Sequence, residues 1–149
     1  MQIFLPYKEP IEVAKCLDRR RLWKQVLEGQ QITEAIDGSS TSWRNHPVVK
    51  MYKSNLQFVR SYYLCLWQYH MGNIKGALLM NEYANASRPD FITDDFCIQH
   101  RRRLYTKDNE FYKDFAKYGE SDENWYIVDG KLLKYKNGKL LKDEGVVEC

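Results

Sequence analysis

One predicted helix, ending near residue 37, combines a helical hydrophobic pattern with polar side chains on the face that should be buried. With about 3.6 residues per turn, one face of this helix carries Ala14, Leu17, Arg21, Gln25, Glu28, Ile32 and Ala35. The three polar residues in the middle must be hydrogen-bonded to each other or to a ligand, because burying them unpaired costs several kcal/mol. The pattern fits a reaction site built around Glu28, or a structural Arg21–Glu28 pair that braces two helices.

The length and composition of the chain predict one folded domain. At 149 residues, of which 44% are hydrophobic, the chain has enough apolar material to bury a single core, and general disorder is excluded. The apolar runs are shorter than the roughly 18 residues that span a membrane, and the N-terminus lacks the pattern of a signal peptide. We therefore expect a cytoplasmic protein without a membrane partner, either bacterial or viral and acting in a host cell.

The positive charges are concentrated in two short segments, although the net charge is only +3. The first basic segment contains Arg19, Arg20, Arg21 and Lys24, and the second contains His100, Arg101, Arg102, Arg103 and Lys107. Two such clusters in a nearly neutral protein predict a local surface for a polyanion. The alternative interpretation is two solvated helix faces.

The cysteines do not form a metal-binding or disulfide pattern. The chain has four of them, which are scattered, with no CxxC pair and no histidine at metal-ligand spacing: Cys16, Cys65, Cys97 and Cys149. This usage is typical of reduced thiols in a reducing compartment. We expect neither a metal site nor a cofactor.

The remaining pattern predicts mostly helices. Asp18 is placed to cap the first long helix, which ends at Gly38, and Pro47 begins a second helix that runs to Gly72. Further helices are predicted over residues 74–86, from about residue 94 to 107, and over 109–118.

The C-terminal part of the chain has a different sequence pattern. Two Asp/Asn-Gly pairs, Asp129-Gly130 and Asn137-Gly138, separate short apolar runs, which predicts two hairpin turns and a small β meander. The expected architecture is thus mainly α, with a single compact helical domain over residues 1–123 and a β appendage over residues 124–149.

Four segments in order resemble the pyrimidine-dimer DNA glycosylase/AP lyase family, whose type member is a phage endonuclease. They are the opening Ile3-Phe-Leu-Pro-Tyr7, the helix pattern from Leu17 to Glu28, the Trp43-x-Asn45-His46-Pro47 element, and His100-Arg101-x-x-Leu104 followed by Phe111-Tyr112. Together they span about residues 1–118, and the meander lies outside the resemblance.

The resemblance implies an enzyme whose nucleophile is the α-amino group of the chain itself. In this family the amine attacks C1′ of the deoxyribose, and a carboxylate, here Glu28, stabilises the cationic sugar and assists proton transfers. An α-amine suits this role because its ordinary pKa of roughly 7.7–8.0 leaves a useful neutral fraction near neutral pH. Residue 2 is glutamine where the type member has a small hydroxyl residue, so either Met1 or a processed Gln2 would supply the amine.

The resemblance also implies double-stranded DNA as the partner of a monomeric protein, with the damaged nucleotide leaving the base stack. The type member has an arginine beside its catalytic glutamate where this chain has Leu27, and we expect Arg21 and Lys24 to supply that charge. The residues that we expect to contact DNA are Arg21, Lys24, Gln25, Trp43, Asn45, His46, His100 and Arg101. For His46 an equal alternative is a cap on the following helix.

The sequence leaves the exact activity open. The favoured function is a DNA glycosylase with AP-lyase activity that removes a pyrimidine dimer. One alternative is a glycosylase for a different modified base, since such enzymes need a similar acidic, basic and aromatic pocket. Another is a nucleic-acid-binding domain of the same fold without catalysis.

Overall fold

The computed structural model describes residues 1–146, with side chains described for residues 1–141. Six α-helices are followed by a short 3₁₀ helix and a three-stranded sheet, as predicted for a mainly helical chain with a small meander. Residues 147–149, which include Cys149 and the end of the predicted meander, lie outside the described residues. The helices are α1 (Pro10–Cys16), α2 (Arg19–Asp37), α3 (Pro47–Tyr52), α4 (Leu56–His70), α5 (Ile74–Ala86), α6 (Asp94–Lys107) and the 3₁₀ helix (Lys113–Tyr118).

Both ends of α2 are set by the residues that the sequence indicated. The Asp18 side chain accepts a hydrogen bond from the backbone N–H of Arg21 at 3.3 Å, and Gly38 ends the helix in the left-handed region at φ 85°. Leu17 has extended backbone angles, so α1 and α2 are separate helices. The polar face therefore belongs to α2 alone and continues into buried Ile32 and Ala35.

Two predicted helices differ from the structure. The predicted helix from Pro47 to Gly72 is divided into α3 and α4, because the chain turns at Asn55, whose N–H donates to the Tyr52 carbonyl at 2.8 Å. The predicted helix over residues 109–118 is only the 3₁₀ helix, because the Asp108 side chain accepts from the N–H of Phe111 and holds a turn there. At Asp108 a short polar side chain thus competes with the helical hydrogen-bond ladder.

The helices pack around α4, which lies between α2 and α5. The buried face of α4 includes Phe58, Tyr62 and Leu66, each without exposed surface. α2 approaches α4 closely at Gly29, where a Cβ atom would lie 2.4 Å from Cβ of Tyr63. Glycine is therefore required directly after Glu28, because any side chain would push α2 away from α4.

The C-terminal sheet is a meander in the order β1 (Asn124–Val128), β2 (Lys131–Lys136) and β3 (Lys139–Val146), with antiparallel neighbours. Both hairpin turns lie where the sequence predicted them, and positive φ angles at Asp129, Gly130, Asn137 and Gly138 are those of type I′ turns. β1 packs against α3 and α6, and Tyr126 from β1 is only 3% exposed. Among residues 1–146, every helix is too short or too polar to cross a membrane.

Candidate active site

The N-terminal segment is threaded through the core and held by side chains instead of a neighbouring strand. Ile3 and Leu5 are completely buried, so their backbone groups need partners inside the protein. The N–H of Phe4 donates to Oε1 of Gln25 at 2.8 Å, and the N–H of Leu5 donates to Nδ1 of His100 at 2.6 Å. Buried polar residues of α2 and α6 thus fix the position of the chain terminus.

Gln25 is the centre of this hydrogen-bond network. Its Nε2 donates to the Gln2 carbonyl at 3.0 Å and to Oε2 of Glu28 at 2.8 Å. The Tyr62 hydroxyl donates to the Phe4 carbonyl at 2.7 Å and lies 2.8 Å from Oε1 of Gln25. Gln25 is only 2% exposed and its amide is engaged in this network, so its contact with DNA stays a prediction. It links the N-terminal segment to Glu28.

The N-terminus and Glu28 line the same small pocket, of about 100 Å³. Its wall combines the N-terminal segment with residues of α2, α6 and β1, and it holds one carboxylate among four cationic side chains. The lining residues are Met1, Gln2, Phe4, Arg21, Lys24, Gln25, Glu28, Arg103, Lys107 and Asn124. The sequence analysis named six of these ten, and the structure brings those six together.

Glu28 occupies an environment with opposing influences on its pKa. Burial raises the pKa of Glu28 above its ordinary value, while the positive charges of the α-amino group and Lys24 and a hydrogen bond from the backbone N–H of Gln2 act to lower it. Among charged groups, the α-amino group has the largest influence on this pKa. The carboxylate and the chain terminus are therefore electrostatic neighbours, as a shared reaction site requires.

Arg21 is oriented by Asp18 at the edge of this pocket. Its Nη1 lies 3.2 Å from Oδ1 of Asp18, and the Tyr112 hydroxyl also donates to that oxygen. Burial raises the pKa of Asp18, but the hydrogen bonds from Tyr112 and Arg21 outweigh burial and lower it, so the carboxylate stays charged. The structural alternative was an Arg21–Glu28 pair, but Arg21 pairs with Asp18, and Glu28 accepts a hydrogen bond from Gln25.

Arg103 and Lys107, on successive turns of α6, complete the ring of cations. Burial lowers the pKa of Lys107, and the positive charges of Arg103, Arg21 and Lys24 lower it further. Repulsion of this kind indicates a site that favours an anion. Both residues belong to the second basic segment, although they were not among the residues expected to contact DNA. Their spacing of four places them on one helix face and could have identified them, whereas Asn124 gave no such signal.

His46 caps α3 and also lies near the chain terminus. Its Nδ1 accepts a hydrogen bond from the N–H of Val48 at 3.1 Å, so the neutral ring carries its proton on Nε2. Burial lowers the pKa of His46, and the nearby α-amino group lowers it further. The imidazole is thus a neutral donor, and with Nδ1 occupied it cannot act as a base toward the amine.

The loop before α3 presents the other two residues predicted there. Trp43 adopts a left-handed backbone conformation with φ 67° and is 51% exposed, and its ring packs edge-on against His46. Asn45 is also exposed. Both side chains are accessible to a large partner, but neither lines the pocket.

His100 and Arg101 have structural partners. His100 is 1% exposed, and this burial corrects the prediction that it contacts DNA, because a phosphate cannot reach its ring. Arg101 donates to the Pro6 carbonyl at 2.7 Å and to the Tyr118 hydroxyl at 3.0 Å, with its guanidinium over the ring of Tyr7. Its contacts hold the chain just after the N-terminal segment, and it does not line the pocket.

The sheet contributes a hydrogen bond to the chain terminus that the sequence did not indicate. The Tyr126 hydroxyl donates to the Met1 carbonyl at 3.1 Å, and the Tyr126 ring packs edge-on against His46. Burial raises the pKa of Tyr126 to about 12, so the hydroxyl keeps its proton at neutral pH. Among residues 1–141, whose side chains the structure describes, no three His, Cys, Asp or Glu side chains are grouped as they would be around a metal ion.

Comparison with known proteins gives a match over the N-terminal part of the chain. The family model for pyrimidine dimer DNA glycosylases matches residues 1–71, which is shorter than the resemblance over about residues 1–118. No curated protein and no solved structure gives a significant match to the chain. The matched segment contains the chain terminus, Arg21, Lys24 and Glu28, whereas Arg103 and Lys107 lie beyond it. Over residues 1–71, therefore, the chain is similar to the pyrimidine dimer DNA glycosylase family.

Proposed function

We propose that this protein is a DNA glycosylase with AP-lyase activity that removes pyrimidine dimers from double-stranded DNA. The observation that supports the proposal most strongly is the common pocket of Met1 and Glu28, ringed by cationic side chains. A nucleophilic amine beside a partly buried carboxylate is suited to substitution at a sugar carbon, and the cations are suited to the flanking phosphates.

In the proposed reaction the neutral α-amine attacks C1′ of the damaged nucleotide. A bond forms between the nitrogen and C1′, and the glycosidic bond breaks with its electron pair leaving on the base. The nitrogen then loses a proton, the sugar ring opens, and an imine links the protein to C1′. Loss of a proton from C2′ followed by departure of the 3′ phosphate completes the lyase step. Glu28 stabilises the positive charge on the sugar and transfers these protons.

We assign the nucleophilic amine to Met1. The Met1 carbonyl is held by Tyr126, and the Gln2 side chain is buried with its Oε1 accepting from the N–H of Ile3. The backbone N–H of Gln2 also donates to Glu28. Residues 1 and 2 are thus both held by hydrogen bonds. The α-amino group belongs to Met1, which lines the pocket together with Glu28.

Glu28→Gln tests the proposal, with duplex DNA carrying pyrimidine dimers as the substrate. We expect base release to fall by at least about 100-fold while DNA affinity stays nearly unchanged, because the amide keeps the shape but loses the charge. The matched control is Glu34→Gln, on the same helix and away from the pocket. Activity of Glu28→Gln within a few-fold of the wild type would rule Glu28 out as the catalytic carboxylate.

A further inference from the structure

The outer face of α5 is unusually apolar for a solvent-exposed helix. Its inner face, with the buried residues Ala77, Asn81 and Ala84, packs against α4 and α1. On the other side, four large apolar side chains are 46–49% exposed: Ile74, Leu78, Leu79 and Tyr83. An apolar patch of this kind on a small protein is typical of an interaction surface.

The charges on this face are arranged symmetrically. Lys75 and Glu82 flank Leu78 and Leu79, and the four positions follow the spacing i, i+3, i+4, i+7 that places them on one helix face. Seven residues of helix separate Lys75 from Glu82 by about 10 Å, which is too far for an ion pair within one helix. Among the residues that the structure describes, neither side chain has an ion-pair partner.

We propose that this face binds a second copy of the chain, with the two α5 helices antiparallel about a two-fold axis between Leu78 and Leu79. Reversing the helix direction brings Lys75 of one copy opposite Glu82 of the other, twice per dimer, and Leu78 opposite Leu79. Ile74 and Tyr83 then face each other at the edges. A self-complementary patch is what a two-fold dimer requires, because both copies use the same surface.

The chemistry of the face favours a second copy over DNA, since an apolar surface whose single lysine is balanced by a glutamate offers no net positive charge to phosphates. One helix from each copy gives a small interface, so the dimer is weak and depends on concentration. α4 separates α5 from α2, and the dimer leaves the pocket of Glu28 open. This inference replaces the expected monomer and does not depend on the proposed catalytic activity.

Charge reversal tests the proposed pairing. Sedimentation of the full chain at low ionic strength, up to about 1 mM protein, should show a monomer–dimer equilibrium. Lys75→Glu alone and Glu82→Lys alone should each raise the dimer Kd about tenfold or more, because each places like charges opposite one another twice. The double variant should recover the wild-type Kd, and Leu78→Asp should give a monomer.

Circular dichroism verifies that each variant is folded, as expected for substitutions at exposed positions. A wild-type protein that stays monomeric over the whole concentration range would overturn the proposal. A dimer whose Kd in the double variant is no better than in the single variants would also overturn it, because the copies would then associate through another surface. Base release should be equal in all four variants, which separates this proposal from the function of the pocket.

Discussion

At the scale of single residues, His100 stabilises the folded chain in its neutral form. Its Nδ1 accepts from the N–H of Leu5, and complete burial together with nearby Arg103 lowers its pKa to about 3. Protonation would remove the acceptor and place a charge in the core. Because the unfolded chain binds a proton near the ordinary pKa of about 6.5, the folded state is favoured above that pH. The contribution is lost as the pH falls from about 6.5 toward 3.

Acidification should therefore destabilise the protein through this residue. We predict that His100 accounts for a loss of about 2 kcal/mol in the free energy of unfolding between about pH 7 and pH 5. Urea unfolding at both pH values measures the loss. In His100→Asn, whose Oδ1 can still accept from Leu5, the loss should be smaller by that amount. An equal loss in both proteins would mean that another group titrates.

Lys107 is the residue whose contribution to DNA binding is easiest to isolate, because its ammonium lines the pocket and has no ion-pair partner among the described residues. We predict that Lys107→Ala weakens binding to damaged and undamaged duplexes alike and flattens the slope of log K against log salt by about 0.9. The control is Lys15→Ala, on α1 and paired with Glu12. An unchanged slope for Lys107→Ala would place Lys107 outside the DNA contact.

At the scale of secondary-structure elements, β1 belongs to the site and does more than extend the helical domain. Tyr126 lies in the core, bonds the Met1 carbonyl and supports the ring of His46. The chain just before β1 is also anchored to α6, because Gln99 donates hydrogen bonds to Ser121 and to the Glu123 carbonyl. The sheet therefore contributes, together with residues of α2, α4 and α6, to holding the N-terminal segment.

Removing the Tyr126 hydroxyl should affect the reaction more than binding. We predict that Tyr126→Phe slows imine formation about tenfold with little change in DNA affinity, because the amine loses its orientation. Trapping of the imine by borohydride under single-turnover conditions measures the rate. Tyr135→Phe is the matched control, since the Tyr135 ring packs against Tyr126 without contacting Met1. Equal rates of imine formation in both variants would show that the hydrogen bond from Tyr126 to Met1 does not orient the amine for the reaction.

The elements themselves were predictable where strong local signals exist. Asp18 and Gly38 bound α2, and the Asp-Gly and Asn-Gly pairs form the two turns of the meander. The break at Asn55 was not predicted, because the apolar spacing of α3 continues into α4 and hides the turn. Periodicity reports which face is buried, and it does not report a change in chain direction between two buried segments.

At the scale of the whole molecule, the pocket joins parts of the chain that are distant in sequence. The terminus and α2 lie within the segment that matches the family, whereas Arg103, Lys107 and Asn124 come from beyond residue 71. The polar face of α2 identified Glu28 and Gln25 from sequence because buried polar groups need partners. Which partners they find depends on tertiary packing. For this reason the role of His100 and the bond from Tyr126 became visible only in the structure.

We propose that the α-amino group of Met1 forms the covalent bond to DNA. The most direct measurement is borohydride trapping with duplex DNA containing an abasic site, followed by peptide mapping of the adduct by mass spectrometry. Our account predicts one adduct on the N-terminal peptide, at the Met1 nitrogen, and no adduct after acetylation of that nitrogen. An adduct on Lys24 or Lys107, or undiminished trapping by the acetylated protein, would contradict it.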